Sequence, residues 1–206
     1  GAWLKWDGFE FDQNQADRLW HDTQLVLNGQ WELMLRVFIK QEPHKVTKAA
    51  EKRWRLIMAS PLPVQMAWSM LFSCMNDLEI ERSYYIPSQQ GIILPGGGWK
   101  YYKAAWEKLG LTHGLDKSAW DWTFPYWAIR LCLEFRYRLG RGPKMQEWLE
   151  KAEMLYDQMF VNPILVTSDG SMFRQEVPGV QKSGCINTIS DNSHGQVIIH
   201  LATCID

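Results

Sequence analysis

The chain has 206 residues, 46% of them hydrophobic and 22% charged, a balance that excludes disorder and suits one large soluble domain or part of one. Its formal net charge is −1, so a polyanion would have to be held by a local basic patch and not by the field of the whole molecule. No apolar run reaches the roughly 18 residues that a bilayer span needs, and no basic-then-apolar leader opens the chain, which together predict a cytosolic protein without a transmembrane segment.

Residues 14–29 place Ala16, Leu19, Trp20, Val26 and Leu27 at helical spacing, with Gly29 as the stop. Residues 33–39, "LMLRVFI", alternate as a strand does, and "WRLIMAS" at 54–60 is a second strand-like run that could pair with the first. Pro63 opens a helix to Tyr84 whose Met66, Met70 and Met75 form a stripe, read as core and not as a ligand box. "PGGGW" at 95–99 breaks the chain before a short helix over 100–109. Further helical patterns fill 123–140 and 144–160, separated by "GRGP". The stretch "ILVTSDGSMFRQE" then folds back around Ser168, Asp169 and Gly170, the strongest hairpin signal in the chain. A last helix is expected from near Cys185, and the chain stops within it. With Gly1 in place of Met at the start, a fragment or processed product is expected. Cys74, Cys132, Cys185 and Cys204 lack CxxC spacing and read as reduced structural thiols. One mixed α+β domain, helix-rich with short antiparallel strands, is the economical architecture.

Three stretches carry chemistry. Between Arg36 and Arg55 stand seven Lys or Arg and two Glu, a local excess of cations suited to phosphate and flanked by the two strand-like runs. A solvated basic loop has the same composition. "LDKSAWDWTF" sets Asp116 and Asp121 five apart before a helix. An Asp at a strand end can give Mg²⁺ one oxygen while waters and phosphates complete the octahedron, although turns and caps also use such pairs. In "QKSGCINTISDN", Gly179 and Gly184 allow close backbone approach and Ser183 adds a hydroxyl. Thr188 and Asn192 follow one helical turn apart on one face. An N-capped helix with a solvated face accounts for Ser183 but not for that spacing.

Taken in order, "FIKQEPHKVTKAAEKRWRLI", "DKSAWDWT" and "GVQKSGCINTISDNS" resemble motifs F, A and B of the RNA-dependent RNA polymerases of positive-strand RNA viruses, with wording closest to the sobemovirus-like group. The resemblance runs from about Arg36 to the end. It implies a partial right-hand polymerase fold, with part of the fingers in 1–110 and the start of the palm in 111–206. Asp116 would be a catalytic Mg²⁺ ligand, with Mn²⁺ as the alternative ion. Asp121 and Asn192 would sense the ribose 2′-hydroxyl of the incoming nucleotide, while Ser183, Gly184 and Thr188 would meet the template and nascent base pair. Lys40, Arg53 and Arg55 would cover the triphosphate, with Glu42 as their acidic partner. The implied partners are an RNA template, a primer or nascent strand, NTPs and other viral replication proteins, in a replication complex in the host cytoplasm. No Gly-Asp-Asp of motif C occurs, so the chain is expected not to polymerise RNA alone. A non-catalytic single-strand RNA binder, with its twelve Trp as stacking platforms, is the competing reading. A reverse transcriptase is disfavoured, since Asp121 with Asn192 would select for the hydroxyl that its substrates lack.

Overall fold

In the computed structural model, which describes residues 2–205, the elements follow in chain order. They are a 3₁₀ turn Ala2–Leu4, α1 Gln13–Leu27, β1 Met34–Ile39, α2 Val46–Ala50, β2 Leu56–Ala59, α3 Leu62–Arg82, a 3₁₀ turn Pro95–Gly97, α4 Trp99–Lys108, α5 Trp120–Thr123, α6 Tyr126–Leu139, α7 Met145–Phe160, β3 Ile164–Val166, β4 Met172–Arg174 and α8 Thr188–Ala202. The chain forms two compact units. The first holds the residues up to Leu71 with Gly140–Pro178 and Lys182–Ile186; the second holds Phe72–Leu139, Gly179–Gln181 and the residues from Asn187 onward. Helix α3 supplies its first half to one and its second half to the other. Among the described residues no helix is long and apolar enough to cross a membrane.

The first unit is built on a four-stranded sheet in the order β2-β1-β3-β4. Both expected antiparallel pairs are present, β1 with β2 and β3 with β4, and a parallel pairing of β1 with β3 joins them into one mixed sheet. Leu35 and Val37 point from β1 into the core while Met34, Arg36 and Phe38 point away, the period of two that a half-buried strand requires. Helix α1 starts where the Asp12 carboxylate accepts the Gln15 N–H at 3.1 Å, satisfying one of the donors left open at a helix start. Helix α7 packs Leu155, Tyr156, Met159 and Phe160 into the same core. Trp68 of α3 stacks on Tyr156 at 5.1 Å. The aromatic positions of α3 are therefore core as expected, with Trp68 and Phe72 both buried, but the methionine stripe is not: Met66 and Met70 are 38% and 51% exposed. The buried face of the first half of α3 is made by Val64, Ala67 and Trp68, and an unbranched Met on the neighbouring face can lie against solvent at little cost.

The second unit is helical, and its core is unusually polar. Phe72, Phe124, Ala128, Ile129, Cys132 and Leu133 are buried, but so are Glu79, Arg136, Ser190 and Asp191. Helices α6 and α8 pack together. Gly195 of α8 admits the Phe124 ring so closely that a Cβ there would lie 2.2 Å from a ring carbon.

Candidate active-site elements

The basic segment is an extension of the β1/β2 pair. Past the last paired residues, the Lys40 N–H still donates to the Arg55 carbonyl at 2.8 Å, so the two chains leave the sheet together. Between them lies the five-residue helix α2, which buries no residue and is too short to leave a periodic signal in the sequence. Glu42 sits between two of the predicted cations, 2.9 Å from Lys40 Nζ and 2.6 Å from an Arg55 guanidinium nitrogen. The hydrogen bond from Lys40, with the Arg55 charge beside it, holds the Glu42 carboxyl below the usual carboxylate range. Arg53 pairs instead with Glu51, at 2.5 Å. Lys45, Lys48 and Lys52 are exposed and enter no ion pair among the described residues. The segment thus pre-orients Lys40 and Arg55 around one carboxylate and leaves a surplus of cations for an anionic ligand.

The second cluster gathers α5, the start of α8 and the loop before it. Ala119 takes a left-handed conformation, φ +53°, and turns the chain into α5, which carries Asp121 in its first turn. The Asp121 carbonyl accepts the Gln181 N–H at 2.7 Å, and the Phe124 carbonyl accepts the Val180 N–H at 3.1 Å. The loop lies so close to this segment that a Cβ on Gly179 would stand 2.8 Å from the Phe124 carbonyl oxygen. From the other side, the Trp120 indole N–H donates to Asn192 Oδ1 at 2.8 Å, and the Trp120 ring stacks on Phe124 with centroids 4.9 Å apart. Gln181 Nε2 donates to the Thr188 carbonyl at 3.3 Å. Trp120 and Gln181 therefore tie the segment of Asp121 to the helix start of Thr188 and Asn192, through the main-chain carbonyls of Asp121 and Thr188 and the side chain of Asn192. Neither of those two was singled out by the sequence. Trp120 enters there only as one of twelve Trp, and Gln181 acts partly through its main chain.

Helix α8 is held from behind by a buried polar network. Arg136 of α6 lies 3.5 Å from the Asp191 carboxylate, both side chains fully buried, and donates to Ser190 Oγ at 2.5 Å. Ser190 in turn donates to Glu79 at 2.7 Å, whose other oxygen is 3.0 Å from His194 Nε2. Burial pulls the Glu79 carboxyl upward, but hydrogen bonds from His194 and Ser190 and the Arg136 charge outweigh it and hold it below the ordinary range. Burial, with the Asp191 charge beside it, pushes the Cys132 thiol far up, so it is an unreactive packing group.

Ser183 and Gly184 belong to the first unit, docked along β2. The Met58 N–H donates to the Ser183 carbonyl at 2.7 Å. Gly184 has φ +125°, and a Cβ there would stand 2.6 Å from the Met58 carbonyl oxygen, so both conformation and space require glycine. Beside them Lys182 is fully buried. Its Nζ donates to Gln175 Oε1 at 2.7 Å and lies 5.4 Å from the Phe160 ring centroid. Burial pushes this ammonium down to about 7.

Asp116 lies in the exposed, irregular stretch 111–117 just before α5, not in a strand. A strand needs a hydrogen-bonded neighbour, and no sheet strand flanks this stretch among the described residues. No group of three His, Cys, Asp or Glu encloses an ion site among those residues. Mg²⁺ is satisfied by one or two carboxylates with waters and phosphate oxygens, and one accessible Asp fits a single share of such a shell.

The family model described as viral RNA-dependent RNA polymerase matches residues 3–202. The chain is 34% identical over 165 residues to the replicase polyprotein P2AB of Southern cowpea mosaic virus, covering 77% of this chain and 17% of that protein. It is 33% identical over 181 residues to the RNA-directed RNA polymerase of Mushroom bacilliform virus, covering 85% and 42%. A solved Sicinivirus 3Dpol RNA-dependent RNA polymerase superposes with a TM-score of 0.68 at 19% identity, over 86% of this chain and 37% of that one, a likeness of fold. The chain thus spans under half the length of each of these proteins.

Proposed function

Since this chain belongs to the viral RNA-dependent RNA polymerase family, we propose that it forms the nucleotide-approach side of an enzyme that copies an RNA template by adding NTPs to an RNA 3′-hydroxyl. In that step the 3′-oxygen bonds to the α-phosphorus, the bond to the β-phosphate bridge breaks, pyrophosphate leaves, and the hydroxyl proton is lost to a base or to water. The observation that supports the reading best is the hydrogen bond from the Trp120 indole to Asn192 Oδ1, which brings the helix bearing Asn192 against the short helix in which Asp121 directly follows Trp120; a carboxylate and an amide can both hydrogen-bond one ribose hydroxyl. A polar pair that closes on such a hydroxyl disfavours the analogue without it, since its own groups would lose that partner.

The remaining residues take roles by position. Lys40 and Arg55, steadied by Glu42, would receive the triphosphate as it enters, with Arg53 at the edge of the same segment. Ser183, Gly184 and Thr188 would face the template and nascent base pair. Asp116 would hold Mg²⁺, or Mn²⁺, through one carboxylate oxygen; when bound, a pair of such ions supplies charge stabilisation at the attacking and leaving oxygens. Residues 1–110 would be part of the fingers and 111–206 the start of the palm, working with other viral replication proteins in a complex in the host cytoplasm. The test is Asp116→Asn in a full-length polymerase carrying this chain. NTP incorporation is expected to be abolished with RNA binding retained. Incorporation at the original rate would remove Asp116 from the mechanism.

A further inference from the structure

Asn192 can face a ligand in two ways. Its amide carries an acceptor on one side and two donors on the other, and the two faces have nearly the same shape. Only the neighbours decide which face is offered. Here the neighbour is the Trp120 indole N–H, a group that donates and cannot accept. The 2.8 Å contact to Asn192 Oδ1 is a hydrogen bond in one orientation of the amide; in the flipped orientation it would set two donors against each other. With Oδ1 so engaged, Nδ2 is turned the other way, and among the described residues it has no protein acceptor.

The indole is itself fixed. Trp120 stacks on Phe124 with an interplanar angle of 26°. Phe124 is only 2% exposed and is seated against Gly195 of α8, the helix that bears Asn192. Donor and acceptor are thus anchored to one packed assembly, and the bond between them is not left to two mobile side chains.

We infer that Trp120 is a specificity-positioning residue for the sugar of the incoming nucleotide: its indole N–H locks the Asn192 amide with the N–H donors outward, so that a ribose 2′-hydroxyl accepts from Asn192 while it donates to the Asp121 carboxylate. This rests on the sugar-selection reading of Asp121 and Asn192 given above. A hydroxyl can both donate and accept, and the C2′ of a deoxyribose offers neither. Trp120 does not touch the nucleotide and works only through Asn192. Without its N–H the amide can turn its acceptor outward, where it competes with Asp121 for the single hydroxyl proton.

The experiment compares kcat/KM for ATP and dATP on a primed RNA template, using a full-length polymerase that carries this chain and its Trp120→Phe, Asn192→Ala and doubly substituted forms. Trp120→Phe keeps an aromatic ring against Phe124 and deletes the donor. It is expected to lower the ATP-over-dATP ratio roughly threefold to tenfold, the span that loss of one hydrogen bond allows. Asn192→Ala should lower it at least as much, and the double form should match Asn192→Ala alone, because Trp120 has nothing left to orient. A ratio unmoved by Trp120→Phe, with Asn192→Ala still lowering it, overturns the role of Trp120 and leaves sugar selection standing. A double form that falls by the product of the two single effects also overturns it. A ratio unmoved by Asn192→Ala removes the sugar-selection reading, and this inference with it. Should Trp120→Phe fail to fold, benzothienylalanine at position 120 retains the shape and stacking of the indole and replaces N–H by sulfur, and the same ratios decide.

Discussion

Replacing Lys182 by Met should change how stability depends on pH, and the structure gives the size of the change. Burial lowers this ammonium from the ordinary lysine value of 10.5 to about 7, with the nearby Cys185 working the other way. Below pH 7 the folded and unfolded chains both carry the proton, and folding must bury the charge. Between pH 7 and 10.5 the unfolded chain holds a proton that the folded chain has released, so stability rises with pH by about 1.4 kcal/mol per unit. The full contribution is present only above 10.5 and is lost as pH falls towards 7. Over the whole window this amounts to about 5 kcal/mol, and between pH 7 and 9 to about 2–3 kcal/mol. Lys182→Met removes the titration and leaves an unbranched apolar chain beside Phe160. The difference in unfolding free energy between variant and parent sequence should therefore favour the variant most near pH 7 and shrink as pH rises. Urea denaturation followed by far-UV circular dichroism at several pH values between 6.5 and 9.5 measures that difference directly, and other titrating groups cancel in it. A difference that stays constant across the range would show that Lys182 is charged and solvated in the folded chain, and would refute the burial described here.

Two further substitutions and one control probe the site's supports. Gly184→Ala should cost roughly 2–4 kcal/mol, from a left-handed backbone and a Cβ pressed on the Met58 carbonyl. Gly114→Ala, which has open space and no positive φ, should leave the thermal midpoint nearly unchanged, and equal midpoints for the two variants would contradict the close approach at 184. Arg136→Met strips the buried Asp191 carboxylate of its cation and should cost about 3–5 kcal/mol. A loss in denaturant unfolding of under about 1 kcal/mol would mean that Asp191 is neutral or otherwise stabilised in the folded chain.

Short-range order was largely legible in the sequence. Alternation exposed β1, a short apolar run exposed β2, the Ser-Asp-Gly turn exposed β3 and β4, and Gly29 ended α1 where periodicity stopped. What escaped depends on contacts between distant segments. The parallel pairing of Met34 with Ile164 leaves no local trace, and α2 is too short to register as a period. Charged residues are expected at the surface, so Arg136, Asp191 and Glu79 gave no hint that they form the interior of the second unit. Spacing alone does not show how differently the two aspartates of one short segment are held: Asp116 lies in exposed irregular chain, while Asp121 is built into a helix start tied to the loop before α8. The spacing of Thr188 and Asn192 was readable because a helix fixes it. The orientation of the Asn192 amide was not, because Trp120 sets it from another element.

The seat of Gly184 on β2 also bears on how such sequences can change over time. Both contacts there are with main chain: the Met58 N–H bonds the Ser183 carbonyl, and the Met58 carbonyl fills the space a Cβ would need. A different side chain at position 58 leaves both untouched, although the Met58 side chain is itself buried and Ile57 Cγ2 lies 3.5 Å from the same space. Because the nearest obstacles are main-chain atoms, no change of side chain at position 58 makes room for a Cβ at position 184. Suppressors of Gly184→Ala selected in a replicating system should then not fall at position 58, and the glycine should be restored by true reversion more often than by second-site repair.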